Sequence, residues 1–194
     1  MKKLVLLSAI AIVSLAGHSQ TKWNVDKVHS NVGFTVQHMV ISEVDGSFKV
    51  FDGSIVAKNA DFTDADINFT VDIKSINTDN EMRDNHLKSA DFFDADKYPQ
   101  MVFKSISFKK LTGNKYELIG TLTIKGVSKQ VKLDVTYGGT AKDPYGNIKS
   151  GFKVSGIINR FDYGLKWNTL TEAGGAMVGQ DVVLNIKLEF TQVK

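Results

Sequence analysis

Apolar and polar residues alternate along most of this chain. Ile67, Phe69, Val71 and Ile73 interleave with Asn68, Thr70, Asp72 and Lys74. The same two-residue period returns at Val131, Leu133, Val135 and Tyr137, and at Val182, Leu184, Ile186, Leu188 and Phe190. Side chains on a strand point to opposite faces in turn, so each stretch has one oily face and one wet face. Many such strands in one modest domain must roll up or sandwich to hide the oily faces. The result is a closed antiparallel sheet whose interior is either a filled core or a container for an apolar ligand.

The pattern predicts strands over 22–29, 31–38, 48–58, 66–76, 101–109, 115–125, 128–138, 149–158 and 180–192. Turn chemistry separates them at Asp45-Gly46, Thr112-Gly113-Asn114, Gly138-Gly139 and 143–147, with a tight hairpin at Lys125-Gly126-Val127-Ser128. One short helix is predicted near residues 78–90. Thr78-Asp79-Asn80-Glu81 matches a capping box, and Met82, His86, Leu87 and Ala90 form a face to cover the sheet. Asp91 to Pro99, with Phe92-Phe93 among aspartates, reads as an irregular plug on the barrel.

Lys2-Lys3, the apolar run Leu4–Ala16 and the small polar exit to Gln20 have the layout of a secretory signal peptide. Residues 1–20 are therefore expected to be removed, leaving a single domain over 21–194 that is periplasmic or secreted. The chain has 24 Lys and Arg and 21 acids. Without Lys2 and Lys3 the balance is +1, and the lysines are interleaved with acids, which argues against nucleic acid as a partner. With no cysteine, stability must come from packing.

The polar residues give weak catalytic signals. His29, His38 and His86, with Asp84, lack paired metal-ligand spacing, so no metal and no cofactor is expected. Asp26, His29 and Ser30 lie beside no nucleophile elbow or Gly-rich oxyanion loop. Asp61, Asp64 and Asp66, like Asp91, Asp94 and Asp96, lack the glycine and closing glutamate of a calcium loop. Arg83-Asp84-Asn85-His86-Leu87 is the densest polar group. It is either an arginine paired to an acid on the sheet or a polar contact at a cavity mouth.

Several segments together resemble the YceI-like family. They are Asp26–Ser30, Phe34–His38, Gly46-Ser47-Phe48 with Phe51-Asp52-Gly53, and Ile76-Asn77-Thr78. Further on come Arg83–Leu87, Asp91–Asp94, Tyr98-Pro99, Phe103–Ser105, Gly120–Val127 and Asn159–Gly164. The likeness covers about 22–192, with 165–179 the least matched part. It implies an all-β, extended antiparallel lipocalin-like barrel of about eight strands that holds a polyisoprenoid or similar long-chain lipid. It carries over no catalytic residue.

On that footing Phe34, Val36, Phe48, Phe69, Val71, Phe103, Leu122, Ile124, Phe152 and Leu184 are expected to line the pore, shared with ordinary core. Trp167 is expected to close one end, and His38, Arg83 and His86 to meet a headgroup. The expected partner is a long-chain lipid, with transient contact to a membrane; no oligomeric state follows. Two alternatives stand beside it. One is a hydrolytic or metal-dependent enzyme using His29, His38 and His86. The other is a filled barrel that serves as an interaction module.

Overall fold

The computed structural model describes residues 20–170, 172 and 174–194. The predicted leader lies outside the described residues, apart from Gln20. The strands are β1 (Thr21–Val25), β2 (Asn31–His38), β3 (Ser42–Phe48), β4 (Phe51–Ala57), β5 (Asp66–Asp72), β6 (Ile76–Asn77), β7 (Gln100–Lys110), β8 (Lys115–Ile124), β9 (Val127–Lys142), β10 (Ile148–Asn159) and β11 (Val178–Gln192). One helix, α1 (Glu81–Lys88), lies between β6 and β7.

The eleven strands make eight staves, because three staves are broken. β1 and β2 pair with successive stretches of β11, while β4 and β3 pair in turn with β1 and β2. β5 and β6 pair with β4 and β3. β7 to β11 follow as a meander from β5, and the pairing of Val25 with Phe190 closes the ring. The break between β1 and β2 has a local cause. The Asp26 carboxylate accepts from the backbone N–H of Val28 and His29, which competes with ladder bonding and turns the chain. The predicted strand over 22–29 therefore ends at Val25.

Two turn predictions fail for one reason. Asp45-Gly46 and Gly138-Gly139 sit inside strands, not between them. The real β2–β3 turn is Met39–Ile41. Gly46 is instead the cross-strand partner of Phe34, and Gly139 pairs with Gly151 at a register shift. In both places the glycine meets a need inside the sheet that a turn rule does not see: Gly46 leaves room for the Phe34 ring, and Gly139, at φ +109°, supplies the backbone of the irregularity.

One end of the barrel is solid. Trp23, Phe62, Tyr116, Tyr137, Phe152 and Phe190 interlock there, with the Phe62 ring 5.2 Å from Trp23 and 5.2 Å from Phe152. Edge-to-face and tilted contacts of this kind stabilise beyond the area they bury. The other end is covered by α1, by the segment 89–99 and by Tyr163, Leu165 and Trp167. Phe92 and Ala95 of the predicted plug are buried, and Phe93 packs on Phe48.

The helix is shorter than predicted and capped by a different residue. Asn80, not Thr78, is the N-cap, its side chain accepting from the Arg83 N–H. Asp79, at φ +58°, turns the chain before the helix begins. Met82, assigned to the covering face, is 82% exposed; Leu87 is the helical residue that meets the apolar interior.

Candidate functional site

Above the aromatic floor the barrel is hollow. Two apolar spaces of about 110 Å³ and 130 Å³ share Phe34, Phe48, Met101, Ile124, Ile158 and Leu184 in their walls. They form one elongated channel. The floor-side space reaches Phe69, Phe103, Leu133, Val154 and Leu188, and the mouth-side space reaches Leu87, Phe92, Val178 and Val182. Along β11 the wall runs from Val182 to Leu188, about 20 Å at 3.3 Å per residue.

The bore stays open because three phenylalanines lie flat against glycines. Phe34 faces Gly46 and Phe69 faces Gly53 across paired strands, while Phe103 overlies Gly120. A β-carbon on Gly46 would fall 2.8 and 2.9 Å from Cε1 and Cε2 of Phe34, and closer still to Cζ. On Gly53 it would fall 2.6 Å from Cε2 of Phe69. With a bulkier partner these rings would have to stand out into the lumen. The glycines thus convert large apolar side chains into a smooth wall.

At the mouth, a buried polar knot holds α1 against the β6 stave. The Thr78 N–H and hydroxyl both donate to Oδ1 of Asp84, at 2.9 and 2.6 Å. Arg83 donates from Nε to Thr78 Oγ1 and from Nη2 to the Thr78 carbonyl. Arg83 therefore pairs with Thr78, not with an acid on the sheet as one sequence expectation had it. His86, Phe92 and Trp167 cluster beside this knot, with ring centroids 4.9 Å (His86–Trp167) and 5.2 Å (Phe92–Trp167) apart. Beyond them the mouth is bordered by Val36, Gln37, His38, Met82 and Met177.

Arg160 braces the other side. Only 5% exposed, it donates to the carbonyls of Gly179, Leu165, Trp167 and Val178. Four carbonyl dipoles and the ring of Phe161, 4.5 Å from the guanidinium carbon, take the place of a carboxylate. Burial pulls its pKa below the usual arginine range. Tyr163, in the same turn, is 2% exposed and its hydroxyl has no hydrogen-bond partner among the described residues. Burial, with the Asp162 charge nearby, pushes its pKa up to about 12.

The predicted positions divide cleanly. Phe34, Val36, Phe48, Phe69, Val71, Phe103, Leu122, Ile124 and Leu184 face the channel. Trp167, His38, Arg83 and His86 stand at the mouth. Phe152 does not reach the channel; it is locked into the floor against Phe62, Tyr137 and Phe190. Sequence reasoning passed over Met101, Ile158, Tyr163 and the role of Arg160. A signal existed for the last: Arg160 is one of two arginines and follows the apolar Gly156-Ile157-Ile158.

The histidines proposed for a metal or hydrolytic centre are split. His38 and His86 share the mouth, whereas His29 sits in the β1–β2 break with Asp26 and Glu189. Asp84 is turned inward to Thr78. Among the described residues, the one group within common metal-ligand reach is Asp26, His29 and Glu189. The Lys149 ammonium already bridges its two carboxylates, at 2.5 and 3.3 Å. Desolvation alone would raise the Asp26 carboxyl, but the hydrogen bonds from Lys149, His29 and two backbone amides outweigh it and hold Asp26 far below the usual carboxylate range.

The comparisons with known proteins agree with this architecture. The model of the YceI-like domain matches residues 23–190. The UPF0312 protein SA2479 of Staphylococcus aureus (strain N315) is 40% identical over 172 residues, covering 88% of this chain and 98% of that protein. The crystal structure of the Campylobacter jejuni YCEI protein is 38% identical, covers 87% of this chain and 96% of its own, and superposes with a TM-score of 0.69. A domain from Saccharophagus degradans, described as polyisoprenoid binding and implicated in plant cell wall breakdown, shares the fold at 16% identity. It covers 87% of this chain and 97% of its own, with a TM-score of 0.62. An eight-stave barrel with an apolar channel, matched by this domain model over almost all of the described residues, places the chain in the YceI-like family.

Proposed function

We propose that this protein is an exported carrier that shields a polyisoprenoid or another slender long-chain lipid from water. The observation that carries the proposal is the continuous apolar channel between the mouth and the aromatic floor. Such a wall offers a ligand no hydrogen bonds, so it selects for an apolar chain. Burying about ten methylene units there gains about 8 kcal/mol at ~0.8 kcal/mol each, which corresponds to roughly micromolar affinity before the costs of association. The description of the Saccharophagus degradans domain as polyisoprenoid binding supports the same ligand class. The basic, apolar start of the chain supports export.

A binding role is favoured over catalysis because Asp84, Arg83 and Arg160, the charged side chains packed beside the channel, are committed to structure. Asp84 and Arg83 lock Thr78, and Arg160 holds four carbonyls. Organic extraction of the purified protein, followed by mass spectrometry, tests the proposal. A co-purified long-chain lipid, or uptake of added prenol at one per chain, is expected. A clean extract with no prenol uptake overturns it.

A further inference from the structure

The β2–β3 turn presents an unusual surface. Its residues are Met39, Val40 and Ile41, and Val40 and Ile41 are 56% and 83% exposed. Met39 and Val40 have φ of +53° and +68°. For β-branched valine that conformation is a steric outlier, whereas Asn-Gly would occupy it without strain. Strained residues persist where their side chains serve a purpose, and here the strain holds three apolar side chains at a tip in water.

The tip is continuous with the channel. Val36 and Val178 belong to the wall, Met177 borders the mouth, and the Met39 N–H donates to the Met177 carbonyl at 2.9 Å. Met82 on α1 and Leu170 on the facing loop, 82% and 67% exposed, extend the apolar rim. At the far end of the barrel the aromatic floor blocks passage. The end through which an apolar chain can pass is therefore the end with the apolar rim.

We infer that this rim, led by Met39, Val40 and Ile41, inserts shallowly into the surface of a lipid bilayer and sets the channel mouth against it. The inference rests on the carrier function proposed above and gives it a docking surface. A bilayer fits better than a protein partner. A stable protein interface takes about 20–30 residues a side, and this rim offers only a handful of exposed apolar residues. The near-neutral charge of residues 21–194 makes the contact hydrophobic and insensitive to salt.

Sedimentation with phosphatidylcholine vesicles tests it, using the wild-type protein, Val40→Ser/Ile41→Ser, and Leu111→Ser in the β7–β8 turn at the far end. Wild type and Leu111→Ser are expected to bind alike at low and high salt. The double variant is expected to lose about thirtyfold or more in partitioning, from two aliphatic side chains. It should still load prenol from detergent solution and should transfer it between vesicles more slowly. Equal vesicle binding by the double variant, or no binding by the wild type, overturns the inference. Tip-dependent vesicle binding by a protein that loads no prenol upholds the docking surface and removes the carrier function instead.

Discussion

Gly46→Ala isolates what keeps the barrel hollow. Gly46 has no positive φ, so alanine brings no backbone strain, and the three atoms nearest its added β-carbon all belong to the Phe34 ring. Ordinary contact begins near 3.4 Å, so the ring must retreat by about an ångström, and the open direction is the lumen. Phe34 lines both channel spaces and the mouth, so the intrusion falls at the neck. Overpacking in a filled core costs about 1–3 kcal/mol, and a ring free to swing into empty space keeps the cost near the low end, or about 2–4 °C in Tm. Displacing about two methylene units of ligand costs about 1.6 kcal/mol, or about fifteenfold in Kd. Titration with a fluorescent prenol should show that loss in a variant that melts almost normally. Gly46→Ala/Phe34→Ala should recover the affinity. Unchanged affinity in the single variant, or a loss that truncating Phe34 does not relieve, would refute the role assigned to the glycine.

Three further outcomes follow from the mouth and the charged network. Arg160→Lys cannot reach four carbonyls from one ammonium, so it should cost about 3 kcal/mol and expose the loop at Lys166 to trypsin; stability and cleavage like wild type would remove the brace. Tyr163→Phe deletes a buried hydroxyl without a partner and should stabilise the ligand-free protein by about 1 kcal/mol, a gain that thermal melting can read; a loss of equal size would mean that the hydroxyl is satisfied. Asp26 has a folded pKa below its unfolded value of ~3.9, so its contribution is complete above that value and is lost as pH falls through the acid range. Asp26→Asn should therefore be less stable than wild type at pH 7, with the gap in Tm narrowing steadily as pH falls from 5 to 2; a gap independent of pH would contradict the charge assignment.

The barrel was legible because its signal is periodic. Alternation along 67–73, 131–137 and 182–190 forces strands with one apolar face, and closure follows from the number of such faces. The channel was only partly legible, since alternation says that Phe69 and Phe152 both point inward but not what each meets there. Phe69 meets Gly53 and lies flat, whereas Phe152 meets Phe62, Tyr137 and Phe190 and fills the space. That difference lies in cross-strand partners fixed by register, which no single strand carries. The capping error has a similar origin. Thr78 fits a capping box locally, but the buried Asp84 carboxylate takes both of its donors and leaves Asn80 to start the helix.

A hollow barrel forgoes the packing that would normally stabilise it, and this chain offsets that loss by dividing its length. Aromatic rings crowd the floor end, where nothing has to pass, and the staves there are closed by β1 and β11. The mouth end has a smaller apolar cluster, Ile124, Tyr163 and Leu165, and is held as well by polar braces: Asp84 with Thr78, and Arg160 with its carbonyls. A buried guanidinium would be a costly substitute for a hydrophobic residue in a filled core. At the rim of a channel it stitches together the carbonyls of Leu165, Trp167, Val178 and Gly179. Large residues in the floor thus serve folding, whereas glycines opposite phenylalanines in the wall serve capacity, and the two sets can be altered separately.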